Sequence, residues 1–470
     1  MLTNPSNNSE TKRALILAGG GMRVAYQSGV LMALEESGLK FAHVDGTSGG
    51  IFNTAMLASG ISPKSMAENW RQLKLSHFVS GRKAKNYLKP LKMQGYADAD
   101  NIRNKVFPAL GIDLNKIQNN QNAYFTFNVC NFSQKKIEAI NVENLKEDHL
   151  IAGVSLPIFM PALMIDSDWY SDAVWIKDAN LTEAIHQGAD ELWLVWAIGN
   201  SHTYLNGAFH QYVHMIEMSA NGGLLGEYKQ IKLYDQLNNK EKPTKLFVIK
   251  SQVPLPLDPD FFFNKVNARE LINMGYSHAK SYLLNHGQNG EKLDETATQC
   301  QEPVQLLCFR GSYQGDLSFG SSKLPVSFFT YHQYGQFPNE KNALETYSSI
   351  QIGKDQEIAL YGHKLKVSKE NGGIVHYTSS HFIWNQEVHK LTSSQKVNGV
   401  WEIYTGLGFK HIHVKIEDKS ENIIAEGLLY QSLQNRLKSR YFMNKTTTTP
   451  GKDKHKSKFQ LIKDYTEYGI

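Results

Sequence analysis

Two glycine-rich segments near the start of the chain carry the residues best suited to chemistry. Residues 46–50 read Gly-Thr-Ser-Gly-Gly, a G-x-S-x-G pattern centred on Ser48. In this pattern a strand-to-helix turn exposes the serine hydroxyl at the carboxyl edge of a parallel sheet. Residues 19–23 read Gly-Gly-Gly-Met-Arg, where backbone N–H groups could converge on an oxyanion. A serine nucleophile beside an anion hole predicts acyl transfer by a serine enzyme.

Each glycine-rich segment lies between a strand pattern and a helix pattern. The apolar strand at 13–17 ends just before the first segment, and residues 24–37 follow with helical periodicity. Residues 41–45 supply the next strand, and residues 51–59 the helix after Ser48. Two such units in succession predict the opening of an open α/β sheet, whose ligands lie at the carboxyl ends of its strands.

A structural turn and a nucleotide site are the alternatives for these glycines. The G-x-S-x-G pattern alone is weak, since about 0.2 matches are expected by chance in a chain of this composition. The dinucleotide fingerprint requires Gly or Ala where this chain has Val24. The P-loop pattern is absent from the sequence. The glycines therefore favour acyl chemistry over nucleotide binding.

A serine nucleophile needs a base, and the sequence offers histidines and carboxylates. His186 and His202 could complete a Ser–Asp–His triad, although neither has local motif support. Carboxylates also cluster between residues 166 and 178, and on spacing alone a turn or capping role explains each of them better than catalysis. These carboxylates are Asp166, Asp168, Asp172 and Asp178.

The order of motifs favours one of these carboxylates. The Gly-Gly-Gly-Met-Arg and G-x-S-x-G segments are followed by Pro-Ile-Phe-Met-Pro at 157–161 and by Asp172 in a Ser-Asp-Ala sequence. A helical stretch and Gly-Ala-Asp at 188–190 come next. In this order of motifs, residues from about 13 to 285 resemble the patatin-like lipid acyl hydrolase family.

The resemblance implies a three-layer α/β/α hydrolase domain and catalysis by a Ser–Asp dyad without histidine. Ser48 matches the nucleophile and Asp172 matches the base. The other residues that the resemblance assigns are Gly20, Gly21 and Met22 as oxyanion N–H donors, Arg23 closing that loop, and Gly46 and Gly50 in the elbow. It implies no metal and no organic cofactor.

The rest of the chain predicts a second domain of mainly antiparallel β structure. Short runs of alternating polarity occur at 358–367, 373–384, 400–405, 410–417 and 422–431. The expected layout is a disordered N-terminus at 1–12, a hydrolase domain at 13–290, an irregular linker at 291–343, an all-β domain at 344–435 and a basic flexible tail at 436–470. Residues 75–117, with aromatic and basic side chains, favour helical packing, with a lid as the alternative.

Charge and composition limit the partners. The net charge is +5, and residues 436–463 alone hold nine Lys or Arg against one acid. Such a tail could contact anionic lipid, and a solvated tail without a partner is equally expected. No nucleic-acid motif is present. His411 and His413 share a predicted strand face with Lys415, which favours a solvated face over a metal pair.

The compartment is expected to be cytoplasmic, with peripheral contact to a membrane. The polar N-terminus lacks the apolar core of a secretory signal, and no apolar run reaches the length of a membrane-spanning helix. Three cysteines without paired spacing favour reduced thiols. The oligomeric state stays open.

The sequence thus predicts a serine lipid acyl hydrolase of the phospholipase A type that cleaves carboxylic esters of phospholipids or related lipids. Two alternatives stay open. One is a lipid-binding or signalling protein of the same fold with weak or no turnover. The other is an acyltransferase that uses the same acyl-enzyme.

Overall fold

The chain divides into two compact units. The first consists of Met1–Ser201 and Asn206–Cys300, and the second consists of His202–Leu205 and Gln301–Ile470. The computed structural model describes residues 1–3, 11–78, 80, 95–199, 204, 206–255, 266–337, 343–370, 372–405, 408–437, 440–444 and 456–468. Each unit is built around its own sheet.

The first unit contains an eight-stranded mixed sheet in the order β5-β6-β3-β2-β1-β7-β8, with β4 also paired to β3. Its strands are β1 (Arg13–Leu17), β2 (His43–Thr47), β3 (Tyr124–Asn131), β4 (Lys136–Asn141), β5 (Leu163–Ile165), β6 (Asp168–Asp172), β7 (Glu191–Trp196) and β8 (Lys245–Lys250). The central strands β3, β2, β1, β7 and β8 are parallel, whereas β4, β5 and β6 pair antiparallel. The predicted strands at 13–17 and 41–45 are confirmed as β1 and β2.

Helices cover this sheet. They are Ala25–Glu36, Gly50–Ala58, Pro63–Gln72, Phe107–Leu110, Leu114–Gln118, Glu147–Gly153, Leu181–His186, Ala208–Leu237 and Ala268–Asn285. In β1, Ala14 and Ile16 pack in one cluster with Leu224 of the long helix Ala208–Leu237. Leu15 and Leu17 point to the opposite face and are also fully buried. A strand buried on both faces is typical of a parallel sheet between two helical layers, so the predicted α/β class is confirmed.

Two glycines allow the first and last helices of this unit to pack closely. A Cβ on Gly29 would overlap the backbone carbonyl of Ile272, and one on Gly275 would overlap the carbonyl of Tyr26. Helix Ala25–Glu36 thus contacts helix Ala268–Asn285 through backbone as well as side chains. Because an added methyl group has no room there, both positions require glycine.

The Gly29→Ala variant is expected to lose about 3 kcal/mol of unfolding free energy or more, since the methyl group forces the two helices apart. Urea unfolding followed by circular dichroism measures this loss. Gly222→Ala is the matched control, because Gly222 is also inside a helix but an added Cβ meets nothing within 4 Å. Its stability should stay equal or rise by about 0.5–1 kcal/mol. Equal stabilities of the two variants would contradict the close packing.

The second unit contains a ten-stranded antiparallel sheet that forms a half-barrel, in the order β12-β11-β10-β9-β17-β16-β15-β14-β13, with β18 also paired to β9. The strands are β9 (Gln305–Phe319), β10 (Ser322–Gln336), β11 (Ala343–Ile352), β12 (Ile358–Ala359), β13 (Tyr361–Glu370), β14 (Gly373–Trp384), β15 (Glu387–Val397), β16 (His411–Glu417), β17 (Ile423–Tyr430) and β18 (Arg440–Asn444). The predicted C-terminal β structure is confirmed.

The irregular linker predicted at 291–343 is wrong for most of its length. Residues 305–336 form a hairpin of two 15-residue strands, β9 and β10. Gln305 pairs with Gln336 at one end of the hairpin, and Phe319 pairs with Ser322 at the other. Tyr313, Leu317 and Phe328 are buried in one core cluster of this unit. Serine, glutamine and glycine on the other face weakened the alternating pattern, so the strands were not recognised.

The strand predicted at 400–405 is also wrong, because residues Val400–Thr405 form a helix. The Glu402 side chain accepts hydrogen bonds from the Asn398 backbone N–H and side-chain amide at 2.9 Å each, which satisfies donors at the helix start. Trp401 and Tyr404 pack on Phe459 with ring centroids 5.1 and 5.9 Å apart. Local capping and packing therefore override the strand propensity of this aromatic run.

Described residues at both ends of the chain form contacts that the sequence did not predict. Leu2 pairs with Phe41 beside the first sheet, although disorder was predicted for 1–12. In the predicted flexible tail, residues Lys458–Thr466 form a helix whose Leu461, Ile462 and Tyr465 side chains are buried in a core cluster. This apolar face stabilises the helix despite the high charge of the tail. Residues 4–10, 438–439, 445–455 and 469–470 lie outside the described residues.

Helical packing was favoured for residues 75–117, with a lid as the alternative, and residues 79 and 81–94 of this stretch lie outside the described residues. In the part that is described, helical turns run through Ile102–Val106 and Phe107–Leu110, and Phe78 packs edge-on against Phe52. Across the described part of the chain, no helix combines the length and apolar character needed to cross a bilayer.

Candidate active site

Ser48 lies on a sharp turn between β2 and helix Gly50–Ala58. Its φ of 51° is in the left-handed region, which non-glycine residues rarely adopt. Such a conformation costs on the order of 1–3 kcal/mol and persists only where the surrounding structure enforces it. This is the strand–turn–helix context that the G-x-S-x-G pattern predicts.

The two outer glycines of the pattern are explained by close backbone packing around the turn. A Cβ on Gly46 would overlap the Thr54 side chain, and one on Gly50 would overlap the Leu17 carbonyl at the end of β1. The turn can therefore sit against its neighbouring strand and helix only with glycine at both positions. Their role is to allow the tight turn that presents Ser48.

The structure brings Ser48 and Asp172 into direct contact. The Ser48 Oγ donates a hydrogen bond to Asp172 Oδ2 at 2.7 Å. The other carboxylate oxygen, Oδ1, accepts a hydrogen bond from the Val174 backbone N–H at 2.9 Å. Asp172 is fully buried and Ser48 is 5% exposed. The carboxylate is therefore held in one orientation, with one oxygen directed at the serine hydroxyl.

The sheet positions Asp172 at the end of β6. Asp172 pairs with Val129 of β3, and its backbone N–H donates to the Ser155 carbonyl at 3.1 Å. Ala173 begins a short 3₁₀ helix, Ala173–Trp175, and is not among the non-glycine residues with positive φ. Alanine therefore fits after Asp172 without backbone strain.

Burial sets the charge state of Asp172. Removal from water disfavours the charged carboxylate and raises the pKa of Asp172 to about 7, although the Ser48 and Val174 hydrogen bonds act in the opposite direction. A carboxyl group with this pKa can both accept and return a proton near neutral pH.

A second buried carboxyl group lies beside the first. Asp178 is fully buried, and within the described residues neither of its carboxylate oxygens has a hydrogen-bond partner. A Cβ on Gly19 would overlap Asp178 Oδ1 and come within 2.8 Å of Ser48 Cβ, so Asp178 lies close to the serine. Burial, followed by the nearby Asp172, raises the pKa of Asp178 well above its usual range, which favours the neutral acid.

The other sequence candidates for a base lie elsewhere. Asp168 Oδ2 accepts hydrogen bonds from Asn131 and Gln134, and Asp166 forms an ion pair with Lys146. His186 is an exposed residue at the end of its helix, and His202 lies outside the described residues. Of the described histidines, none forms a hydrogen bond with Ser48 or Asp172.

The Gly19–Arg23 segment packs against the serine turn. Gly20 has φ 146° and Gly21 has φ 56°, and a Cβ on Gly49 would lie 2.7 Å from the Gly21 carbonyl oxygen and 3.3 Å from its nitrogen. Within the described residues, the Gly20 and Gly21 N–H groups donate to no protein acceptor. Arg23 closes the loop, since its Nε donates to the Gly20 carbonyl at 2.9 Å. Met22 lies in the short helix Gly21–Val24 that follows Gly20.

Several contacts at the site could not be found from motifs. Arg23 Nη1 and Glu217 Oε1 are buried, and both lie within 3.4 Å of the position of a Cβ on Gly199. Tyr212 donates a hydrogen bond to the Pro157 carbonyl at 2.6 Å and packs edge-on against Trp175 with centroids 5.5 Å apart. Glu217 and Tyr212 belong to helix Ala208–Leu237, far along the chain, and no local sequence signal marks them.

Metal binding has no structural support in the part of the chain that the structure describes. No group of three or more His, Cys, Asp and Glu side chains there could hold a metal ion. His413 instead contacts Glu426, with Nε2 and Oε1 3.0 Å apart.

The first part of the chain is similar to a known family. The family model described as patatin-like phospholipase matches residues 15–185, which include Ser48 and Asp172. The chain therefore contains a patatin-like phospholipase domain. No curated protein compared with the chain matches it.

Two solved structures show distant likeness to the chain. VipD from Legionella pneumophila is 13% identical, with 59% of this chain and 67% of that chain covered and a TM-score of 0.33. A chain of the complex of SpcU with ExoU from Pseudomonas aeruginosa is 15% identical, with 60% and 54% covered and a TM-score of 0.28. TM-scores this low assign no substrate or partner from either structure.

Proposed function

We propose that this protein hydrolyses carboxylic esters of phospholipids or related lipids, with Ser48 as nucleophile and Asp172 as its base. The observation that carries the proposal is the 2.7 Å hydrogen bond from Ser48 Oγ to Asp172 Oδ2, on a turn that holds the serine at positive φ. The patatin-like phospholipase match over residues 15–185 supports the lipid class of the substrate.

The first half-reaction transfers the acyl group to the serine. Ser48 Oγ attacks the ester carbonyl as its proton passes to Asp172, and the carbonyl oxygen becomes an oxyanion. The backbone N–H groups of Gly20, Gly21 and Met22 are proposed to stabilise this negative charge, with Arg23 fixing their loop. When the ester C–O bond breaks, Asp172 returns the proton to the leaving alcohol. An acyl-serine remains.

The second half-reaction releases the fatty acid. Water attacks the acyl-serine carbonyl and transfers one proton to Asp172, and collapse of the oxyanion breaks the bond to Ser48 Oγ. Asp172 then reprotonates the serine. The same carboxyl group thus accepts and donates one proton in each half, which a pKa near 7 permits.

An aromatic path leads from the site toward solvent and suits an acyl chain. Trp175, three residues after Asp172, packs on Tyr212, which packs on Phe159 with centroids 5.1 Å apart. Phe159 in turn packs on Phe209, which is 38% exposed. The neighbouring Ile158 is 55% exposed. Exposed apolar side chains in this position support peripheral contact with a lipid surface.

The test is fatty-acid release combined with covalent labelling. The full-length protein is incubated with mixed phospholipid vesicles and with short-chain nitrophenyl esters, and separately with a serine-reactive phosphonate. The expected results are free fatty acid and a single phosphonylated peptide that contains Ser48. Labelling elsewhere would contradict the nucleophile assignment. If Ser48 is labelled but the acyl group is transferred only to an added alcohol, the protein is an acyltransferase. If there is neither labelling nor turnover, it is a binding protein.

A further inference from the structure

The half-barrel carries a polar groove on one face of its sheet, in the second unit. The groove has a volume of 370 Å³, within the range of small-molecule sites. It is lined by residues of strands β13, β14, β15 and β16: Lys364, Leu365, Lys366, Tyr377, Thr378, Ser379, Thr392, Ser393, Ser394, His413 and Lys415.

Strand register places eight of the polar lining side chains on one face, whereas Thr378 and Ser393 pair with each other on the opposite face. One row across the sheet runs from Lys364 to Ser379, then to Thr392 and Lys415. The adjacent row runs from Lys366 to Tyr377, Ser394 and His413. Directly paired residues of an antiparallel sheet point to the same side, as do alternate residues of one strand. The groove therefore has hydroxyl groups on its floor and lysines at both ends.

The charge of the groove is positive. Three lysines line it, and no carboxylate is among the described lining residues. Lys415 is paired with Glu426 at 3.4 Å. The ammonium groups of Lys364 and Lys366 are exposed and form no ion pair or hydrogen bond within the described residues. Two unneutralised ammonium groups beside a hydroxyl floor form a local positive potential.

Protection of a sheet edge explains only part of this arrangement. Strand β13 pairs only with β14, and lysines on such an edge strand prevent pairing with other chains. This accounts for Lys364 and Lys366 but not for Lys415, three strands further in at about 14 Å by strand spacing. Nor does it account for the row of hydroxyl groups between them. The arrangement fits a bound anion better than edge protection.

We propose that this groove binds a phosphate ester, with Lys364, Lys366 and Lys415 contacting the phosphate oxygens and the hydroxyls of Ser379, Thr392 and Ser394 donating to them. Lysine ammonium groups bind phosphate as point charges, and a dianion needs more than one of them. The phosphate could belong to a membrane lipid headgroup or to a soluble ester. This site is separate from Ser48 and does not depend on the proposed hydrolysis.

The test is equilibrium binding by the full-length protein. Calorimetric titration uses inorganic phosphate and glycerol 3-phosphate. Co-sedimentation uses vesicles of ether-linked phosphatidylcholine with or without ether-linked phosphatidic acid, since neither lipid has a carboxylic ester to hydrolyse. The test variant is Lys364→Gln/Lys366→Gln. The control is Lys354→Gln/Lys419→Gln, which removes two exposed lysines from turns of the same unit. The test variant should bind phosphate esters about tenfold more weakly or worse, and the control should match wild type.

The two phosphate sources give different results. If the test variant loses both glycerol 3-phosphate and vesicle binding, the ligand is a lipid headgroup. Loss of glycerol 3-phosphate binding with unchanged vesicle binding identifies a soluble ester. No binding by wild type at millimolar concentration, or equal binding by both variants, would overturn the proposal. Because calorimetry with phosphate involves no catalysis, either result is independent of turnover at Ser48.

Discussion

The Ser48→Ala variant is expected to lose at least about a thousandfold in fatty-acid release from nitrophenyl esters and phospholipid vesicles. Removal of a nucleophile that acts as a unit with its base eliminates the covalent route and leaves only binding and oxyanion stabilisation. Alanine should fold at this position, although the φ of 51° remains unfavourable for it. The rate constant is measured at saturating ester, together with thermal unfolding.

Ser28→Ala is the matched control for this experiment. Ser28 is as buried as Ser48, but its Oγ donates only to the Ala25 carbonyl within its own helix, at 2.8 Å. This variant should keep wild-type turnover within about twofold, since it removes one ordinary hydrogen bond. Persistent activity of Ser48→Ala with a normal melting temperature would refute Ser48 as the nucleophile.

The Asp172→Asn variant is expected to lose about a thousandfold or more, because an amide can accept no proton from Ser48. Asp178→Asn serves as the comparison. It lies in the same segment, is equally buried and undergoes the same substitution, but its oxygens have no hydrogen-bond partner among the described residues. Since Asp178 is expected to be neutral already, asparagine there should retain activity within about tenfold. The opposite ranking of the two variants would make Asp178 the base.

The pH profile adds a second readout for Asp172. The base must be deprotonated to accept the serine proton, so activity requires a pH above its pKa. Because burial raises the pKa of Asp172 to about 7, kcat/KM should fall about tenfold for each pH unit below 7 and level off above it. Asp178→Asn should keep this acidic limb. Its absence in the wild-type profile would contradict Asp172 as a base with a raised pKa.

Ser48 could be predicted as the nucleophile from the sequence alone, whereas the prediction of Asp172 as its base needed the resemblance. The elbow is a local feature, because strand, glycines and helix all lie within residues 41–59. Asp172 follows 124 residues later, and spacing did not separate it from three other carboxylates. Its contact with Ser48 depends on the pairing of β6 with β3, which a local pattern does not encode.

Other parts of the fold depended on contacts between distant segments. The helix Val400–Thr405 is stabilised by the hydrogen bonds from Asn398 to Glu402 and by Phe459, whereas its alternating polarity alone favoured a strand. The hairpin β9–β10 has weak alternation, so its length became clear only from the pairing. Tyr212 and Glu217 reach the site from the long helix Ala208–Leu237, and no sequence motif indicates their contacts there. Sequence patterns identified β1 and β2, which are buried on both faces, but failed where contacts between distant segments decided the local structure.

The glycine contact between helices Ala25–Glu36 and Ala268–Asn285 determines where the first unit can be truncated. The family match ends at residue 185, yet the helix that directly follows the glycine loop packs against residues 268–285. Strand β8 at Lys245–Lys250 also completes the sheet beside β7. A fragment that ends near 185 would expose one face of helix Ala25–Glu36 and would leave β1 paired only with β2, without β7 on its other edge. The smallest self-sufficient piece carrying Ser48 must therefore include the segments that follow the recognised family region, up to about residue 300.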